Sequence, residues 1–156
     1  FSETIQKNIE FGNPNSSMDE IIDAAKLAQI DLEIRKFENG YGTILGERGV
    51  TLSGGQAQRI SIARSFIKDS EIYLFDDCFS SLDSDTENRI LKNLKNNFQK
   101  KTLIIISHRV SCVKDSDNII VLDNGKIIQS GSHNELIKNK GYYKDLYLKQ
   151  NKEINN

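Results

Sequence analysis

Two short, uninterrupted apolar runs joined by a helix-patterned segment constrain this chain most. "EIYLF" (71–75) and "TLIIIS" (102–107) lack the polar alternation of a half-exposed strand and read as strands buried on both faces. Between them, "DSDTENRILKNLKNNF" (83–98) places Ile90, Leu91, Leu94 and Phe98 on one helical face. Strand, helix, strand, short helix and strand in succession predict an α/β fold with parallel strands.

The rest of the chain carries local punctuation. The opening "FSETIQKNIEFGNPNSS" is turn-rich near its only proline, Pro14. From Ser17 a helix is predicted, with Ser17 and Glu20 as capping box and Ile21, Ala24, Ala25 and Ala28 on one face. A loop bearing Gly40, Gly42, Gly46 and Gly49 follows, then a helix over about 54–68 with Ile60, Ala63, Phe66 and Ile67 on one side. "NIIVL" (118–122), the turn "DNGK" (123–126) and "IIQSG" (127–131) predict a hairpin. Ser132 and Glu135 form another capping box and open a helical tail. The texture changes near residue 70, dividing a helical part (1–70) from an α/β part with a helical tail (71–156).

Composition excludes several classes. A net charge of −1 over 156 residues argues against a broad nucleic-acid-binding surface. Cys78 and Cys112 lie far apart without metal-ligand spacing, which fits a reducing compartment. The apolar runs are too short to span a bilayer, and a signal peptide is not expected. The chain begins at Phe1 without a methionine, which gives the expectation of a fragment.

The segment "TLSGGQAQRISIAR" (51–64) places two glycines at a helix start, inside a capping box of Ser53 and Gln56. Each glycine costs roughly 1 kcal/mol against alanine within a helix. What Gly54 and Gly55 provide in return is close approach of the backbone, at a helix end whose N–H groups favour an anion. Taken alone, "SGG" reads better as a plain glycine turn before a capped helix. Together with the motifs downstream, Leu52 to Arg64 resembles the signature motif of ABC-type ATPases. In that family Ser53, Gly54, Gly55 and Gln56 would face the γ-phosphate of ATP held by a second nucleotide-binding domain.

The other motifs follow in the family's order. "IYLFDD" (72–77) resembles the Walker B strand, which delivers two carboxylates where open α/β sheets bind ligands. The resemblance implies that Asp76 holds the shell of a Mg2+ ion and Asp77 orients the attacking water. "SSLD" (80–83) resembles the D-loop of the dimer interface, and Asp83 or Ser84 also reads as a helix cap. His108, directly after "TLIIIS", resembles the switch histidine that contacts the γ-phosphate. "GERG" (46–49), with Glu47 and Arg48, resembles an exporter loop that meets coupling helices of the membrane domain.

Two departures qualify the resemblance. No G-x-x-x-x-G-K-[ST] loop occurs, and the Q-loop glutamine and adenine-stacking aromatic are absent. The expectation is therefore the C-terminal part of an exporter's ATPase domain, binding ATP weakly or not at all by itself. The family usually has glutamate where Asp77 stands. One missing methylene withdraws the carboxylate by about 1 Å, enough to cost roughly a hundredfold in rate. That points to the degenerate-site subunit of a heterodimer, with the retained His108 as the counter-argument. Implied partners are a second nucleotide-binding domain, in a homodimer or heterodimer, and transmembrane coupling helices at the cytoplasmic face of the plasma membrane. No nucleic acid is implied. The alternatives are a non-catalytic regulatory or interaction module and an ATPase of the DNA-repair type. Finally, the family's phosphate-loop strand would lie between the strands at 102–107 and 118–122. Its absence predicts a locally rearranged or intermolecularly paired sheet, with helices 17–69 unaffected.

Overall fold

The strand at 72–76 covers one face only. In the computed structural model, which describes residues 2–46 and 49–154, β1 (Ile72–Asp76) alternates exposed and buried residues. Tyr73 and Phe75 face inward, while Ile72 and Leu74 are 62% and 64% exposed. Expected burial on both faces is therefore corrected. A continuous apolar run permits two covered faces, but the described residues supply a cover for one. That face meets Phe66, Phe79 and Phe98, with ring centroids 5.0–6.3 Å apart across the cluster. The Tyr73 hydroxyl donates to the Lys68 carbonyl at 2.5 Å and accepts from the Ser70 amide at 3.2 Å, so its polar end is satisfied.

Ahead of β1 lie α1 (Ile5–Glu10), α2 (Met18–Leu27), the short α3 (Asp31–Ile34), a single 3-10 turn at Gly40–Gly42, and α4 (Gly54–Phe66). α1 lies in the stretch read only as turn-rich. Its start is capped by the Thr4 hydroxyl, which accepts from the Lys7 amide at 3.1 Å. α1 and α2 both pack on α4, burying Ile5, Ile9, Ile21, Ala24, Ala25, Ile60 and Ala63. Arg64 of α4 holds α1 by donating to the backbone carbonyl and side-chain oxygen of buried Asn8, at 2.6 and 3.0 Å.

After β1, α5 (Ser84–Asn97) crosses over to β2 (Thr102–Ile106), and the two strands pair in parallel. α6 (Val110–Val113) follows, then β3 (Ile119–Asp123), β4 (Lys126–Gly131), α7 (His133–Leu136) and α8 (Tyr142–Ile154). β3 and β4 are the predicted hairpin, antiparallel with a bulge between Val121 and Leu122. Asn124 and Gly125 turn it with φ of 47° and 74°, both in the left-handed region that a two-residue I′ turn requires. Among the described residues the strands form two two-stranded sheets, β1–β2 and β3–β4.

The chain divides into two compact units, Phe1–Ile104 and Ile105–Asn156. The first is built on the helical cluster and the aromatic face of β1. The second has its own core of Val110, Ile119, Leu136 and Tyr143, with Val113, Val121, Leu146 and Tyr147 packed around it. No helix among the described residues is long and apolar enough to cross a membrane.

Candidate functional site

α4 begins as its sequence requires. The Ser53 hydroxyl accepts from the Gln56 amide at 3.2 Å, and the Gln56 side-chain oxygen accepts from the Ser53 amide at 3.0 Å. The Ala57 amide bonds the Ser53 carbonyl at 2.9 Å and starts the helical ladder. Gly54 and Gly55 thus contribute the first-turn N–H groups for which a helix has no internal acceptor. Ser53 and Gly54 are exposed, at a helix end whose partial positive charge favours anions.

The glycines also serve a second purpose. A β-carbon on Gly55 would stand 3.0 Å from the Ser81 carbonyl oxygen, and one on Gly54 would stand 3.4 Å from the Ser81 hydroxyl. The helix start is therefore pressed against the turn that follows β1. Gln58, one helical turn farther on, locks the contact. It donates to the Ser80 hydroxyl and accepts from the Ser81 amide, both at 3.0 Å. Sequence reasoning missed Gln58, because its partners lie more than 20 residues away. On the other side, Gln56 and Arg59 both donate to the carboxylate of Glu33, at 3.0 and 2.6 Å. Arg59 additionally donates to the Gln29 carbonyl at 2.7 Å. The Arg59 guanidinium, aided by Gln56, holds the Glu33 carboxyl below the usual carboxylate range.

β1 delivers the two acids side by side but not in equivalent ways. Asp76 closes the strand on the face shared with Ile72 and Leu74, and is exposed. Asp77 turns out of the strand with φ of 46°, a left-handed conformation that aspartate tolerates better than most residues. The chain then folds back, and the Ser80 hydroxyl donates to the Asp77 carbonyl at 3.0 Å. Asp83 caps α5 by accepting from the Thr86 amide at 2.9 Å, a bond that keeps its carboxyl below the usual range. Ser53, Gly54, Gly55, Gln56, Asp76, Asp77 and Asp83 thus all lie in one compact unit.

His108 belongs to the second unit and is exposed. Its backbone carbonyl accepts from the Gln150 side-chain amide at 2.7 Å, while the Val110 amide donates to the same side chain at 2.8 Å. Glu47 and Arg48 of "GERG" lie outside the described residues.

A family model described as "ABC transporter" matches residues 2–80. The chain is 51% identical to the "Multidrug resistance-like ATP-binding protein MdlA" of Buchnera aphidicola subsp. Schizaphis graminum, covering 94% of this chain and 26% of that protein. It is 45% identical to the "ATP-dependent lipid A-core flippase" of Legionella pneumophila, covering 96% of this chain and 26% of that protein. A solved bacterial Atm1-family ABC exporter with ATP bound superposes with a TM-score of 0.91 at 42% identity, covering 96% of this chain and 26% of that one. The chain therefore spans about a quarter of the length of these relatives.

Proposed function

Because the chain belongs to the ABC transporter family, we propose that it carries the signature helix, the Walker B acids and the switch histidine of an exporter's ATP-hydrolysing domain. One observation carries the reading: the glycine-bearing start of α4 sits against the turn that leaves Asp76 and Asp77, clasped there by Gln58. An anion-receiving helix end and a pair of acids are thereby built into one compact unit. That is part of the equipment needed to cleave a nucleoside triphosphate between two such domains.

In this reading the amides of Gly54 and Gly55, with Ser53 and Gln56, receive the γ-phosphate of ATP bound to a second nucleotide-binding domain. Asp77 orients the attacking water on this chain's own side, and His108 contacts the phosphate. Asp76 would hold magnesium. The described residues gather no cluster of three His, Cys, Asp or Glu, and the donor set fits an ion held by one or two carboxylates plus substrate phosphates. When bound, that ion neutralises charge on the phosphate oxygens. The phosphate cradle, absent from these 156 residues, is assigned to the rest of a protein of the relatives' length. The complete protein would couple hydrolysis to export through transmembrane partners, with this domain on the cytoplasmic face.

A second reading concerns Asp77. Its shorter reach supports a catalytically weak site in a heterodimer, the partner subunit carrying the stronger one. The first reading is tested in the full-length exporter. Asp76→Asn should weaken magnesium-dependent ATP binding, and His108→Ala should lower turnover by at least about tenfold. Wild-type turnover and nucleotide affinity in both variants would remove the assignment.

A further inference from the structure

We propose that Gln150 is a positioning residue for His108, fixing the backbone from which the imidazole is presented to the phosphate. The proposal rests on the reading of His108 given above.

The geometry starts with α8. Tyr143, Leu146 and Tyr147 share one face of that helix and pack on the core around Val110 and Ile119. Gln150 continues the same stripe at the i, i+3, i+4, i+7 spacing. The position that should carry the next apolar residue instead carries an amide, half-buried at the end of the stripe. This amide reaches the segment just after β2. Its Nε2 donates to the His108 carbonyl at 2.7 Å, and its Oε1 accepts from the Val110 amide at 2.8 Å. The Arg109 amide between them donates to the Ser107 hydroxyl at 3.0 Å. Three consecutive residues are thus pinned by two side chains.

Glutamine is the fitting residue type. One terminus must donate and accept at once, which an amide does and a carboxylate or ammonium does not. Both contacts also settle the orientation of the amide, because a carbonyl needs a donor and an N–H needs an acceptor. The Gln150 bonds set the backbone at 108–110 and with it the direction of the Cα–Cβ bond from which the His108 side chain branches. A histidine that must meet a phosphate oxygen within hydrogen-bond reach gains from such fixing, since a misplacement near 1 Å costs roughly a hundredfold. The adjoining helix of the second unit therefore tunes the reach of the histidine without touching the nucleotide.

The test uses the full-length exporter. Gln150→Leu removes both bonds, while the near-isosteric Gln150→Glu keeps the acceptor and loses the donor. Each should lower kcat by about tenfold and leave the KM for ATP within about twofold. Adding Gln150→Leu to His108→Ala should produce no further loss, because the two residues act as one unit. Hydrogen exchange at the Val110 amide should quicken in Gln150→Leu. If Gln150→Leu does not fold, Gln150→Glu carries the test by itself, through its kcat and through its non-additivity with His108→Ala. Wild-type kcat in the foldable Gln150 variants, or losses that multiply with His108→Ala, would overturn the proposal while leaving the histidine assignment standing. Wild-type turnover in His108→Ala would overturn both.

Discussion

Gly55 and Ser81 meet at a distance that is tight for any side chain: a β-carbon on Gly55 would lie 3.0 Å from the Ser81 carbonyl oxygen. The neighbouring Gly54 has more space, its nearest contact being the Ser81 hydroxyl at 3.4 Å. Overpacking a close contact costs about 1 kcal/mol or more, while contact at 3.4 Å is ordinary. Gly55→Ala should therefore be less stable than Gly54→Ala by about 1 kcal/mol in denaturant unfolding. Equal stabilities would show that the helix start and the turn after β1 are not pressed together.

Asp77 combines a backbone argument with a catalytic one. Its φ of 46° disfavours most side chains, by roughly 1–2 kcal/mol, with aspartate among the better tolerated. Asp77→Gly should therefore stabilise the fold by up to about 1 kcal/mol and abolish turnover at this site. Asp77→Glu should raise single-site turnover, since the added methylene restores about 1 Å of reach. Unchanged turnover in Asp77→Glu would mean that length is not what limits the site.

Glu33 supplies a pH dependence. Arg59, the larger cause, and Gln56 hold its carboxyl below the usual range. Such a group stabilises the fold fully above its unfolded value of about 4.3, and that contribution is lost as pH falls through the lower folded value. The stability gap between the native chain and Glu33→Gln should therefore shrink between about pH 6 and about pH 3. Partial exposure of the Glu33 side chain keeps the effect modest. A gap that stays constant with pH would contradict the ion pair.

The capping boxes at Ser17, Ser53 and Ser132 were legible because each involves residues three apart. So was the Asn124–Gly125 turn, whose conformation is dictated by those two residues. What the sequence did not disclose lies at long range. The exposed face of Ile72 and Leu74 looks like any apolar run until its neighbours are known. Gln58 and Gln150 are unremarkable polar residues until the chain brings Ser80, Ser81, His108 and Val110 to them. The one available hint was Gln150's place on the apolar stripe of α8. α1 escaped because a six-residue helix carries too few periods to recognise, although Thr4 is a fair cap.

The central claim is that the start of α4 receives the phosphate of ATP held by a partner domain. It is tested most directly by Gly55→Asp in the full-length exporter, with ATP turnover measured alongside thermal unfolding. The substitution puts a carboxylate where the helix end should meet another anion. The account predicts that hydrolysis at the partner's site is abolished while the protein stays folded with its own nucleotide affinity intact. A folded Gly55→Asp exporter hydrolysing ATP at the wild-type rate would contradict it.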